Sequence, residues 1–185
     1  YFGDGSHLGM SITYDITAVE NDTGRRIELA LPKINEEFLL CYCDNYCPLP
    51  LKMMAAQWRS SGLDAQATIY TNFDGYTKSN LRVENNKVTV YDKTRTTPEL
   101  QGVEIGFLFA KKSIVRHFPI GENQNFERVV FPKLIEAGEL GAFQTEHRYY
   151  SVGKPERLPL TEEFLRFTPT IFLDRDGVLN HKAPR

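Results

Sequence analysis

Apolar runs of strand length alternate with stretches of helical spacing along this chain, and a chain patterned that way has few folds open to it. Met10 to Ile16 alternates like a strand. Thr23-Gly24-Arg25-Arg26 opens a short helical segment, Ile27 to Leu31, which Pro32 stops. Phe38-Leu39-Leu40-Cys41-Tyr42-Cys43 is nearly continuous in apolar character, the pattern of a strand buried on both faces of a parallel sheet. Leu51 to Ser60 reads as a helix with Gly62 as its C-cap.

Strands follow at Ala67 to Tyr70, Leu81 to Val83, Val88 to Tyr91 and Val103 to Phe109, with Asn85-Asn86 as a hairpin turn. Phe126 to Ala137 is a helix ending at Gly138, and Ala142 to Tyr150 is a further strand. A short helix from Thr161 to Phe167, capped by Thr161, precedes a last strand, Thr170 to Leu173. Together these predict an α/β fold with a mostly parallel sheet.

The 185 residues suffice for one domain with a core, or one domain plus a piece of another. A net charge of −2 leaves no basic footprint for nucleic acid or anionic lipid. No apolar stretch approaches the roughly 20 residues that cross a bilayer. The chain starts at Tyr1 without an initiator Met or a signal-peptide pattern, and reads as an excerpt of a longer cytoplasmic protein. The three cysteines, Cys41, Cys43 and Cys47, lack a fourth ligand nearby, so strand packing in a reducing compartment is favoured over zinc. The four histidines are scattered, and structural roles are favoured for them.

Asp44 directly follows the apolar run that ends at Cys43. In open α/β sheets ligands bind beyond the carboxyl ends of strands, where a carboxylate can hold Mg²⁺ against a phosphate. Asp44-Asn45 is equally good turn chemistry, and spacing alone does not separate the two readings.

Several segments, taken in order over about residues 1 to 160, resemble the middle and end of a sugar-1-phosphate nucleotidyltransferase. They are Tyr1 to Tyr14, Phe38 to Tyr46, Tyr91-Asp92-Lys93, Gln101 to Phe107, Phe126-Glu127 and Tyr150 to Leu158. The mannose- or heptose-1-phosphate guanylyltransferase-like enzymes are the most similar subgroup. The resemblance implies a Rossmann-like fold and a set of roles. Asp44 would bind the catalytic Mg²⁺. Asp92 would contact sugar hydroxyls and Lys93 the sugar phosphate. Glu104, with Gly106 beside it, would face the sugar. The substrates would be a nucleoside triphosphate, GTP by subgroup, and a heptose or mannose phosphate. Without the resemblance, Asp92-Lys93 also reads as an exposed ion pair.

Three departures stand out. The Gly-rich triphosphate loop that opens such enzymes is absent from this chain. Arg25-Arg26 continue the base-reading loop where small residues are usual, and Ser151 stands where many members carry a second metal-binding aspartate.

Thr170-Ile171-Phe172-Leu173-Asp174-Arg175-Asp176-Gly177-Val178-Leu179-Asn180 closely resembles the first motif of haloacid-dehalogenase-like phosphatases of the heptose bisphosphate or histidinol phosphate type. Two carboxyls two residues apart share one side of an extended chain. One can attack phosphorus while the other protonates the leaving oxygen. By resemblance Asp174 is the nucleophile, Asp176 the acid/base, and both lie at a Mg²⁺ site.

The expected organisation is therefore a truncated nucleotidyltransferase over residues 1–167 and the first strand of a phosphatase domain over 168–185. The full protein would dephosphorylate a sugar bisphosphate and nucleotidylate the product, with the excerpt inactive. Two alternatives stay open: a non-catalytic sugar-phosphate-binding module, and a phosphatase for which residues 1–167 are only a scaffold.

Overall fold

The structure is a computed structural model that describes residues 1–166. Asp174, Asp176 and the strand expected before them lie outside the described residues. The elements run α1 (Thr23–Ala30), β1 (Glu37–Cys41), β2 (Asn45–Tyr46), α2 (Leu51–Ser61), β3 (Ala65–Tyr70), β4 (Leu81–Glu84), β5 (Lys87–Tyr91), β6 (Val103–Lys111), α3 (Phe126–Glu136), β7 (Leu140–Thr145), β8 (Tyr150–Ser151) and α4 (Leu158–Leu165). They fall into two units, residues 1–149 and residues 150–185.

The first unit is built on a six-stranded sheet of order β1-β6-β3-β7-β5-β4. Its α/β class is as expected. Four strands, β1, β3, β4 and β7, run in one direction, while β5 and β6 run against them. Only β3 and β7 pair in parallel, because inverted β6 sits between β1 and β3. The β4–β5 pair has to be antiparallel: a two-residue loop cannot join parallel strands. Asn85 and Asn86 both take positive φ, 50° and 59°, as a hairpin turn of primed type requires.

All six residues of β3 are buried, and the strand alternates between two layers. Ala65, Ala67 and Ile69 join the core beneath α3, whose Phe126, Val130, Phe131 and Leu134 recur at helical spacing on one face. Gln66 points to the other layer and donates to the Met54 carbonyl of α2 at 3.0 Å. There Trp58 stacks on Phe109 with centroids 5.6 Å apart and donates its indole N–H to the Leu63 carbonyl.

Several expectations need correction. Met10 to Ile16 forms no strand: Met10, Tyr14 and Ile16 are exposed, and alternation without a sheet edge to pair with does not make one. The run Phe38 to Cys43 is not buried on both faces. It gives β1, an edge strand whose residues are half-buried or exposed, and it stops at Cys41. Cys41 and Cys43 are exposed, so only Cys47 packs as a small hydrophobe. The strand expected from Ala142 to Tyr150 breaks after Thr145.

The described part of the second unit holds β8, a 3-10 turn at Pro155–Arg157, and α4. Thr161 is not an N-cap. It lies inside α4, where its hydroxyl donates to the Ser151 carbonyl at 3.0 Å and the Arg157 carbonyl at 3.2 Å. Among the described residues no helix is long and apolar enough to cross a membrane.

Phe131 is the aromatic hub of the α3 layer, with ring centroids 5.1 Å from Tyr91 and 5.7 Å from Phe126. Phe131→Ala is expected to cost about 3–5 kcal/mol in a urea unfolding curve. A loss below about 1 kcal/mol would mean that this layer does not carry the fold.

Candidate active site

The site grows out of an irregularity in β6. Ala67 of β3 stands opposite Leu108, yet Ile69 stands opposite Glu104. The extra β6 residues bulge out around Gly106, which takes φ +85°. Bulges of this kind turn a side chain away from the ladder. Here the turned residue is Glu104, whose Oε1 accepts from the Gly106 N–H at 2.6 Å. Its own N–H donates to Asn80 Oδ1 at 2.9 Å.

The bulge also receives the turn after β1. The Tyr42 N–H donates to the Gly106 carbonyl at 2.9 Å, and Asn45 Nδ2 donates to the Ile105 carbonyl at 3.2 Å. A Cβ on residue 106 would lie 2.9 Å from Tyr42 Cδ2, so both the φ and the close approach require glycine. Asp44 sits in the turn held at its two ends by these contacts. Its carboxylate is exposed and makes no hydrogen bond or ion pair among the described residues.

Glu127, in the first turn of α3, lines the same small cavity as Glu104, Gly106 and Tyr42. Its side chain is only 8% exposed, and Oε2 accepts from Lys93 Nζ at 3.1 Å. Lys93 also donates to Asn125 Oδ1 at 2.9 Å. Desolvation pushes the Glu104 carboxyl up to about 8; the Glu127 charge adds to this, and the Gly106 N–H and Lys93 oppose it. Glu104 is half-buried, so crowding by neighbouring atoms rather than complete enclosure strips its water. Burial, then the Glu127 charge, also holds the Tyr42 phenol far above its ordinary range. The Tyr42 hydroxyl is buried and has no hydrogen-bond partner among the described residues.

Asp92 is directed elsewhere. Its carboxylate accepts from the N–H and hydroxyl of Thr94, Thr96 and Thr97, at 2.5 to 3.2 Å, and so knots the loop after β5. Those donors, the Thr94 hydroxyl foremost, hold its carboxyl well below the usual range.

The structure thus brings Glu104 and Gly106 together with Lys93, through Glu127, and places the Asp44 turn against the same bulge. Glu127, Asn125, Asn80 and Tyr42 were given no role by sequence reasoning. Glu127 lies in one of the segments that carry the resemblance, and it is an acidic residue in the first turn of an otherwise apolar helix face.

Near by, the start of α1 docks on the start of α3. The Phe126 N–H donates to Thr23 Oγ1 at 2.9 Å, and a Cβ on Gly24 would lie 2.7 Å from Gln124 Cγ. Arg25 pairs with Glu28, and Arg26 donates to the Asn21, Ala18 and Val19 carbonyls. Among the described residues no cluster of three or more His, Cys, Asp or Glu side chains forms a metal cage.

The sequence matches no family model and no curated protein. Solved structures do match. A Bacillus anthracis protein assigned as a glucose-1-phosphate thymidylyltransferase, solved with sucrose, superposes at TM-score 0.76 and 13% identity, over 92% of this chain and 72% of that one. HddC from Yersinia pseudotuberculosis, also solved with GMP-PN, does so at 0.67 and 21%, over 84% and 68%. The inositol-1-phosphate CTP transferase from T. maritima does so at 0.63 and 16%, over 83% and 64%. The chain carries a nucleotidyltransferase fold. At these identities the likeness speaks for the fold alone.

The raised Glu104 carboxyl has a consequence for stability. Between about 4.5 and about 8 the folded chain keeps a proton that the unfolded chain has lost. Stability from this group is therefore fully present below 4.5 and falls as pH rises toward 8, by at most about 1.4 kcal/mol per pH unit. Thermal unfolding of Glu104→Gln should show a flatter midpoint-against-pH curve than wild type over pH 5 to about 8. Parallel curves would mean that Glu104 is ionised in the folded chain.

Proposed function

We propose that the protein containing this chain transfers a nucleotidyl group from a nucleoside triphosphate to a sugar 1-phosphate. The observation that supports this reading is one bulge on β6 beside which lie a raised acid, Glu104, a lysine held by a buried carboxylate, and the unencumbered Asp44 turn. The fold supports it. The chemistry suits these residue types: a phosphate oxygen of the sugar phosphate attacks the α-phosphorus in line, the bond to the bridging oxygen breaks, and pyrophosphate leaves. The nucleophile is already an anion, so no general base is needed. What the site must supply is position and charge.

Lys93 supplies a fixed cation for the sugar phosphate, because Glu127 and Asn125 leave its ammonium little freedom. Glu104 in its neutral form can donate a hydrogen bond to a sugar hydroxyl as well as accept one. Asp44 is the residue that would hold Mg²⁺. The donor set fits, since Mg²⁺ commonly takes one or two carboxylates and completes its shell with water and phosphate oxygens. When bound, the ion would neutralise charge on the triphosphate.

The finer parts of this reading are GTP as donor, a heptose or mannose phosphate as acceptor, a cytoplasmic setting and fusion to a sugar-bisphosphate phosphatase through Asp174 and Asp176. They rest on the sequence resemblance. Two observations favour the competing reading of a non-catalytic sugar-phosphate-binding module. The Asp92 carboxylate is occupied by its own loop, and Arg25-Arg26 are tied into α1 and the chain before it.

The full-length protein should release pyrophosphate in a sugar-1-phosphate-dependent assay, and the 185-residue chain alone should not. Asp44→Ala should lower kcat by about 10²-fold or more, and Lys93→Ala should mainly raise KM for the sugar phosphate. Turnover untouched by Asp44→Ala would remove Asp44 from the site, and no turnover with any nucleoside triphosphate would leave the binding module standing.

A further inference from the structure

Lys93 is held by an acceptor that is itself held. The Asn125 carboxamide uses both of its ends. Its Oδ1 accepts from Lys93 Nζ at 2.9 Å and, as the cap of α3, from the Arg128 N–H at 3.2 Å. Its Nδ2 donates to Asp22 Oδ1 at 3.2 Å and reaches Thr23 Oγ1 at 3.4 Å. A half-turn of the amide would set its NH₂ group against the ammonium and the Arg128 N–H, donors against donors. Lys93 therefore keeps this partner only while the amide stays the present way round.

Asp22 fixes that sense. The Thr23 hydroxyl can donate or accept, so it tolerates either end of the amide, and it already accepts from the Phe126 N–H at 2.9 Å. An ionised carboxylate only accepts. The Thr23 N–H foremost, with Asn125 and the Lys93 charge behind it, holds the Asp22 carboxyl below its ordinary range against desolvation. Asp22 is anchored in turn. Its Oδ1 accepts from the Thr23 N–H at 2.6 Å, and its own N–H donates to Asn123 Oδ1 at 2.7 Å. Asn123 Nδ2 donates to the Glu20 carbonyl at 2.9 Å, and the Gln124 carbonyl accepts from the Gly24 N–H at 2.9 Å. Residues 123, 124 and 125 thus each grip the chain where α1 begins, and of the three Asn125 is the one that also meets Lys93.

We propose that Asp22 is a positioning residue for Lys93, acting through the Asn125 carboxamide. The carboxylate sets the sense of the amide, and the amide sets the ammonium. The inference rests on the nucleotidyl-transfer reading for what Lys93 binds, and on the hydrogen bonds alone for how Lys93 is held.

Two substitutions separate this role from helix capping. Asp22→Ser keeps a good cap for α1 and withdraws the acceptor from Asn125. Asp22→Asn keeps both, because the Thr23 N–H holds its carbonyl oxygen in the same place. Proton–nitrogen NMR of the 185-residue chain reads the Lys93 ammonium directly, through exchange of its protons with water. Asp22→Ser should speed that exchange about fivefold or more, the worth of one neutral hydrogen bond, and Asp22→Asn should leave it at the wild-type rate. Asn125→Ser, which keeps the α3 cap, should speed it at least as much, and adding Asp22→Ser to it should change nothing further. An unchanged rate in Asp22→Ser, or effects that add in the double variant, overturns the assignment. In the full-length protein, with GTP and mannose 1-phosphate as probes, Asp22→Ser should raise KM for the sugar phosphate and leave kcat within about twofold. The NMR result without pyrophosphate release keeps the assignment and sinks the transfer reading. Turnover with an unchanged sugar-phosphate KM in Asp22→Ser keeps transfer and overturns the role of Asp22.

Discussion

The close approach of Tyr42 to Gly106 is the contact on which the candidate site depends. A strand that carried any side chain at position 106 would push Tyr42 away, and the φ of +85° would be strained besides. With glycine there, β6 can bulge, Glu104 can turn into the cavity, and the turn bearing Asp44 can hydrogen-bond to the bulged backbone. Two segments 60 residues apart in sequence, represented by Asn45 and Ile105, are thereby locked together.

The second organising element is electrostatic. Two carboxyls, Glu104 and Glu127, line one cavity with the Tyr42 phenol, and water is largely excluded. Such a group is tolerable only if charge is limited or paired. Lys93 pairs with Glu127, whereas the Glu104 carboxylate accepts from a backbone N–H, so Glu104 is the acid whose pKa is raised. Glu127 and Asn125 together take two of the three Lys93 donors.

The loop after β5 illustrates how a motif can be legible while its geometry is not. Asp92-Lys93 stands out as an acidic-basic pair on any inspection of the chain. In space the two diverge: the carboxylate closes on three threonines downstream, and the ammonium reaches across to α3. Threonines at 94, 96 and 97 are a local signal for that knot, since hydroxyl and amide donors within five residues readily cap a carboxylate. Arg25-Arg26 is similar, an apparent loop that becomes the opening turn of a helix because Asp22 accepts from the Thr23 N–H and caps it.

The features legible in the residues alone are local. Periodicity and punctuation placed α2 with its Gly62 cap, the Asn85-Asn86 hairpin, β3 to β6 and α3, and put Asp44 in the turn after an apolar strand. These depend on contacts within a few residues, which composition and spacing record. Long-range packing put Phe38 to Cys41 at a sheet edge, ran β6 against β1 and β3, and let Glu127 and Asn125 reach Lys93 from more than 30 residues away. Strand order and cavity membership are set by long-range packing, and an apolar run reads the same at an edge as in the middle of a sheet.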